Sequence, residues 1–237
     1  MDNTNYIGDE LEIFSHAHNW KNYWGSFVRP YLGARVLEVG AGLGGTTLLL
    51  NTDPKIEEWI CLEPDPKLSI SIEKMKEKGE LPPNSVVFTE TLDTYTPSVK
   101  FDSVLYIDVI EHIEDDKSEL ERAKKVLKKG GHLIIVVPAH QYLFSPFDKA
   151  IGHFRRYSRA NLKSVIPEGF EIEKAIYLDS LGLMASLTNK LFLKQDYPTL
   201  PQVKFWDNYI VTTSKILDKI TGHHLGKSVL LIAKLKN

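Results

Sequence analysis

The sequence predicts an α/β protein built on a doubly wound parallel sheet with helices on both faces. Three observations carry that expectation. Short apolar runs rich in Val and Ile alternate with stretches of helical period as far as Pro138. The first such run, Arg35–Val39, leads into Gly40-Ala41-Gly42-Leu43-Gly44-Gly45-Thr46, a glycine-rich turn that opens into a helix start. After Pro138 the alternation gives way to a loop rich in Phe, His and Arg.

Taken in order, the elements begin with aromatic residues at helix-like intervals: Phe14, Trp20, Tyr23, Trp24 and Phe27. These predict one or two helices lying over a cleft. Strands are expected at Arg35–Val39, Glu58–Leu62, 85–89, Phe101–Ile107 and 132–137, all short and apolar. A helix over 66–78 starts at Pro66, which suits a first turn, and stops at Gly79. A helix over 115–129 opens with acids and closes with lysines, with Gly130-Gly131 as its stop. Beyond Tyr157 a short helix begins at Ser158, and Phe170–Leu178 alternates as a strand. Helices over 181–193 and 203–220 and a last strand, Ser228–Leu235, complete the chain. One domain over 1–237 is expected, with a helical cap (1–32), a cofactor-binding core (33–138) and an acceptor-side region (139–237).

Bulk properties narrow the function classes. A net charge of −2 offers no electrostatic footprint for nucleic acid. The single cysteine, Cys61, sits inside an apolar run, so a buried, reduced thiol is expected. The N-terminus is polar and acidic, without the pattern of a signal peptide, and no apolar run approaches the ~20 residues of a spanning helix. The expected location is the cytoplasm. Segment 181–193 is apolar but too short to span a bilayer, which leaves core packing or a peripheral membrane contact.

The glycine turn fits two cofactor classes. Gly40-x-Gly42-x-x-Gly45 satisfies the dinucleotide fingerprint, whereas Gly40-x-Gly42-x-Gly44 satisfies a second pattern. Glu38, two residues before the turn, weighs against a diphosphate, since like charges repel in a partly dry cleft. The same carboxylate suits a ligand with a cationic end, such as the ammonium and sulfonium of S-adenosylmethionine. Glu63, closing the next apolar run, is placed to accept hydrogen bonds from both hydroxyls of a ribose.

With these residues in view, the chain resembles the class I S-adenosylmethionine-dependent methyltransferases. Val36-Leu37-Glu38-Val39-Gly40-Ala41-Gly42-Leu43-Gly44 looks like their first motif. Phe101–Ile107 with Asp108-Val109-Ile110-Glu111-His112-Ile113 resembles the motif of their fourth strand, and the stretch from Leu127 to Pro138 resembles their fifth. Asn19-Trp20-Lys21-Asn22-Tyr23 and Gly152-His153-Phe154-Arg155-Arg156-Tyr157-Ser158 resemble a bacterial subgroup often associated with small-molecule or surface-glycan methylation. The resemblance implies a Rossmann-like, seven-stranded sheet, mostly parallel with an antiparallel last strand inserted beside the sixth, and helical additions over the cleft. It also implies S-adenosylmethionine as cofactor and S-adenosylhomocysteine as product.

Candidate site residues follow. Glu38, Gly40, Gly42 and Gly44 are assigned to the methionine end of the cofactor, and Glu63 to the ribose. Thr91 and Leu92 lie where the family holds the adenine, although Thr91-Leu92-Asp93 departs from the commoner glycine-aspartate form. Asp108 is expected beside the transferring methyl, and Tyr23, with Trp20 as a weaker choice, is a candidate to place a ring against the sulfonium. Methyl transfer is an in-line displacement from an activated donor, so it asks mainly for positioning, with a general base for a hydroxyl acceptor. His153 and His112 are the candidate bases. His140, Arg155, Arg156 and Tyr157 are candidates to bind the acceptor, while Arg156 has Asp148 as an alternative partner. The adjacent pair His223-His224 lacks metal-ligand spacing and reads as surface, and no metal is expected. The leading expectation is O-methylation of a small molecule or glycan. A nicotinamide-dependent oxidoreductase and a non-catalytic binding protein on the same fold are the alternatives.

Overall fold

A computed structural model describes residues 10–193 and 197–236. Two helices, α1 (Glu10–Ser15) and α2 (His18–Val28), precede the first strand, β1 (Arg35–Val39). The alternating part then runs α3 (Gly45–Leu50), β2 (Glu58–Leu62), α4 (Pro66–Glu77), β3 (Ser85–Phe88), β4 (Phe101–Ile107), α5 (Asp116–Val126) and β5 (Leu127–Pro138). Two short helices, α6 (Pro146–Ala150) and α7 (Arg159–Val165), lead into β6 (Phe170–Leu178). The helices α8 (Ser180–Thr188), α9 (Leu200–Phe205) and α10 (Thr212–Ile220) separate β6 from β7 (Ser228–Leu235).

The seven strands form one sheet in the order β3-β2-β1-β4-β5-β7-β6. The first five are mutually parallel, and β7 runs antiparallel to both β5 and β6. The late antiparallel strand is therefore inserted beside the sixth, as expected. Alternation along the strands feeds two cores. Val36, Leu105, Ile134 and Val136 pack on one face, and Leu37, Val104, Tyr106, Leu133 and Ile135 on the other. A sheet covered on both faces explains why its strands read as continuous apolar runs. Strand order reverses between β1 and β4, which opens a crevice beyond their carboxyl ends.

Two boundaries differ from the sequence expectation. Helix α5 stops at Val126, and β5 begins at Leu127. Gly130 and Gly131 lie inside that strand, where the register with β4 shifts between the Phe101–Leu127 and Ser103–His132 pairs. A Cβ on Gly131 would stand 2.9 Å from the Asp102 and Lys128 carbonyl oxygens, so the pair serves close backbone approach within the sheet. The expected helices over 181–193 and 203–220 are not regular throughout. Wide π turns occupy Asn189–Leu193 and Trp206–Val211. The second brings Trp206, Asp207 and Val211 inward together.

Three buried aspartates fasten these helices to the rest. Asp207 accepts from the backbone N–H of Asn19 (2.9 Å) and Trp20 (2.8 Å), the otherwise unpaired donors at the start of α2. Asp218 accepts from the N–H of Asp179 and Ser180 and from the Tyr23 hydroxyl. Asp179 caps α8 through Gly182 and also receives Trp206 Nε1 and Ser214 Oγ. The N-terminal cap and the late helices are thus one polar-bonded layer over the same face of the sheet. Among the described residues, no helix is long and apolar enough to cross a membrane.

Candidate functional site

The glycine turn leaves β1 with Gly40, Gly42 and Gly44 all in the left-handed region, at φ of 71°, 57° and 73°. At Gly40 the requirement is also steric, because a Cβ there would lie 2.6 Å from Val109 Cγ2. Val109 follows β4, so the turn and the tail of β4 touch across the switch point. Helices α1 and α2 cover the turn. Leu11 would meet a Cβ on Gly42 at 3.8 Å, and Lys21 Nζ would meet one on Gly45 at 3.1 Å.

Glu63 is where the sequence places it, just past β2, and is 5 % exposed. Its Oε2 accepts from Gly42 N–H at 2.7 Å and its Oε1 from Asp65 N–H at 3.0 Å. Burial raises its pKa against these two bonds. Glu38 differs from expectation. Strand alternation puts it on the face of Val36, beneath α3, where it is 2 % exposed. Its Oε2 accepts from Thr47 Oγ1 (2.6 Å) and Trp59 Nε1 (2.8 Å), so its direct work is to fix the turn to the helix and to β2. Burial pushes its carboxyl up to about 7, although both bonds favour the charged form. Cys61, a free buried thiol, lies 3.2 Å from the same Thr47 hydroxyl.

In the expected adenine segment, Thr91 is exposed and its carbonyl accepts from the N–H groups of Thr94 and Tyr95. The Leu92 side chain is 4 % exposed and belongs to the core, which leaves only its backbone for a ligand. Asp108 follows β4 in a left-handed conformation (φ 54°). The residue is exposed, although protein crowds its carboxyl group. That surrounding protein raises its carboxyl, while His153, Lys227 and Lys21 pull it down. Lys21, half-buried, donates to the Ser15 carbonyl and faces Asp207 and Asp108. Lys227 stands 4.0 Å over the Trp206 ring. Burial lowers the pKa of both lysines.

The two candidate bases come together. The rings of His112 and His153 meet edge to face with centroids 4.5 Å apart. Ser145 opens α6 with a capping box whose acid is Asp148, and that acid is fully buried. His153 Nδ1 lies 2.9 Å from Asp148 Oδ1, which turns Nε2 towards Glu111 Oε1 at 3.9 Å. Arg156 holds Asp148 from the other side in a two-pronged pair, at 2.7 and 2.9 Å. Burial alone would raise Asp148, but bonds from His153, Arg156 and Ser145 keep it well below the usual carboxylate range. Burial and the neighbouring His153 lower His112 to about 4, so it is neutral at ordinary pH. The loop is tied to the tail of β4 by Phe154 N–H, which donates to the Glu111 carbonyl at 2.8 Å.

Other expected site residues are committed elsewhere. Arg155 pairs with Asp116 at 2.7 Å and donates to the Glu114 carbonyl. Tyr157, 2 % exposed, donates to Asp116 at 2.7 Å. Together with the Asp148-bound Arg156, they brace the loop. The Tyr23 hydroxyl donates to Asp218 at 2.8 Å and Trp20 packs against Trp206, so both rings belong to the layer beneath the cap. His140 stacks between Tyr142 and Tyr177, at 4.9 Å from each, with Nε2 2.9 Å from the Gly226 carbonyl. Glu111, beside His153, and Lys21 and Lys227, which act on Asp108, were not among the sequence candidates. Only Glu111 left a signal, as an acid set among Val109, Ile110 and Ile113.

Comparison with known proteins places this geometry. Residues 37–133, which carry the turn and the tail of β4, match the family described as a methyltransferase domain. No curated protein matches the sequence. Solved structures share the fold over most of the chain. The protein solved with the Haloferax volcanii Trm112 methyltransferase activator is 14 % identical with a TM-score of 0.65, covering 97 % of this chain and 94 % of its own. Coclaurine N-methyltransferase, bound to N-methylheliamine and SAH, is 12 % identical with a TM-score of 0.62, over 90 % and 72 % of the two chains. The [4+2]-cyclase SpnF is 16 % identical with a TM-score of 0.62, over 90 % and 80 %. At such identities the likeness establishes the fold.

Proposed function

We propose that this chain is an S-adenosylmethionine-dependent methyltransferase acting on an oxygen of a small molecule or glycan, a reading supported by the match of residues 37–133 to the methyltransferase-domain family and by the fold shared with solved methyltransferases. The observation that carries it is the left-handed turn at Gly40, Gly42 and Gly44, with Glu63 bonded to the Gly42 N–H on one side and Asp108, just past β4, on the other. Burial raises the pKa of Glu38, Glu63 and Asp108 alike, so each gains from a cationic neighbour. A diphosphate is unwelcome there, whereas a ligand with a sulfonium, an ammonium and two ribose hydroxyls complements it.

The cofactor would lie along the turn, with Gly40, Gly42 and Gly44 allowing close backbone approach and Glu63 and Asp108 flanking it. Leu92 would contribute its backbone. The cofactor supplies the activated methyl group; the chain supplies position and exclusion of water. On the acceptor side, Asp148 holds the His153 ring so that Nε2 faces inward, which suits a general base for a hydroxyl. The cap, core and acceptor-side region act as one domain in this scheme. Met184, Leu191 and Phe192, on α8 and the turn after it, are exposed, so a peripheral contact with a membrane that displays a lipid-linked acceptor is part of it. Absence of the protein from floated liposomes removes that part.

Titration calorimetry tests the core of the proposal. S-adenosylmethionine and S-adenosylhomocysteine are expected to bind in the micromolar range typical of cofactor sites (about −8 kcal/mol). Nicotinamide dinucleotide binding without S-adenosylmethionine binding overturns it. Because one neighbour of the same fold is a cyclase, binding must be followed by turnover, read as S-adenosylhomocysteine formed with an acceptor.

A further inference from the structure

Among the described residues, Glu111 is alone in having both carboxylate oxygens buried and without a hydrogen-bond partner. It is 0 % exposed. A carboxyl group so placed has lost its water without gaining a hydrogen bond, which is rare and calls for a missing partner. The groups that face it supply the rest of a ligand set. One ligand atom each from Glu111, His112 and His153 lies within 4.8 Å of the other two.

The surroundings choose which atoms point inward. His153 Nδ1 is held by Asp148 Oδ1 at 2.9 Å, leaving Nε2 as the lone pair directed at Glu111. The His112 ring meets the His153 ring edge to face at 4.5 Å, which keeps both imidazoles beside Glu111. Imidazoles that ligate metals are oriented as His153 is, by a carboxylate or a carbonyl on the far nitrogen. Asp148 is itself fixed by Arg156 and Ser145, so the support extends one shell further.

We propose that Glu111, His112 and His153 bind one divalent first-row transition-metal ion, through a carboxylate oxygen and one nitrogen from each imidazole. Two imidazoles and a carboxylate favour zinc, cobalt, manganese or iron over magnesium, which prefers oxygen ligands. Three protein ligands leave coordination positions open. Glu111 and His112 follow β4 by only a few residues, next to the point where strand order reverses between β1 and β4. The chemical role rests on the methyl-transfer reading. The ion would hold the acceptor hydroxyl and ease loss of its proton to water, in place of direct proton transfer to His153. The overall step balances: hydroxyl oxygen gains the methyl, the sulfonium keeps the electron pair of the broken S–C bond, and one proton is released.

The test is cobalt(II) titration of the chelator-treated full chain, without cofactor or acceptor, followed by visible absorption and by elemental analysis of bound metal. One ion per chain with the intense bands of a low-coordinate, nitrogen-containing site is expected. Glu111→Gln and His153→Ala should each weaken binding about a hundredfold, the scale of lost ligation and orientation. Exposed His224→Ala should not change it. If the wild-type chain shows only the spectrum of hydrated cobalt, or if Glu111→Gln binds as tightly as wild type, the site does not exist. The wild-type titration decides even if a variant fails to fold. Cobalt bound at this site in a protein that forms no S-adenosylhomocysteine keeps the metal site and sinks the methyl-transfer reading.

Discussion

On the β1–β2 side of the cleft, the N–H groups of Gly42 and Asp65 and the side chains of Thr47 and Trp59 all donate to Glu63 or Glu38. On the β4 side, the Glu111 carboxylate lies as deep and accepts no hydrogen bond. One wall is complete without a ligand and the other is not. A preorganised wall suits a ligand shared by many enzymes, whose shape never changes. The second wall is where a particular acceptor and its activation must be specified, and its groups come from a loop after β5 held by Asp148.

The sharpest way to break this contrast is to remove His153. On the proposed function, His153→Ala lowers turnover by about 10²–10⁴-fold, whether the imidazole takes a proton or ligates an ion. Cofactor affinity, measured by calorimetry, should stay within a few-fold of wild type because the turn is untouched. Equal losses in both would mean that the two walls are not separate. Unchanged turnover removes His153 from the reaction.

Asp148→Asn probes what supports the second wall. Asp148 is fully buried and bonded to Arg156, His153 and Ser145. Removing its charge leaves Arg156 facing a neutral amide, and breaking such a pair costs about 3 kcal/mol. Denaturant unfolding should report that loss. A loss below ~1 kcal/mol would show the pair to be more solvated than its geometry implies.

Gly40→Ala acts on the first wall. The added Cβ meets Val109 at 2.6 Å and the left-handed backbone disfavours it further, for about 1–2 kcal/mol from the backbone alone. Here cofactor affinity should fall while cobalt binding is retained, the reverse of the His153 pattern.

Much of this was legible beforehand, for physical reasons that also explain the gaps. The strands announce themselves because both faces of the sheet are covered, so Trp59–Leu62 or Leu133–Val137 have no polar alternation to hide them. Gly130-Gly131 misled because a left-handed glycine marks a helix stop and a strand irregularity alike. The π turn at Trp206–Val211 has no local signature; it forms because Trp206 and Asp207 both find partners far away in the chain. In the candidate site, Glu63, Asp108 and the turn stand out in the sequence by position, and His153 by its loop. Arg155 and Tyr157 are bonded to Asp116, about forty residues distant, and sequence alone cannot show that such groups already have a partner.

The smallest effect concerns Glu38, whose place under α3 weakens it as a direct ligand contact but not as a charge. Its pKa of about 7 means that ionisation, disfavoured by burial, is incomplete at neutral pH. A cationic cofactor beside the turn stabilises the ionised form, so affinity should rise as pH climbs through 7. If the neutral form binds weakly, the gain between pH 6 and pH 8 approaches about tenfold, one pKa-unit's worth of coupling. The sign matters for stability too. Because the folded-state pKa lies above the unfolded value, the fold itself loses stability as pH rises through the same window, and bound cofactor should offset that loss. Calorimetry of S-adenosylhomocysteine, which lacks the sulfonium charge, is the internal control, with a flatter pH profile expected than for S-adenosylmethionine. Glu38→Gln should flatten both. Identical profiles for the two ligands would show that Glu38 acts on the turn alone and does not sense the charge on sulfur.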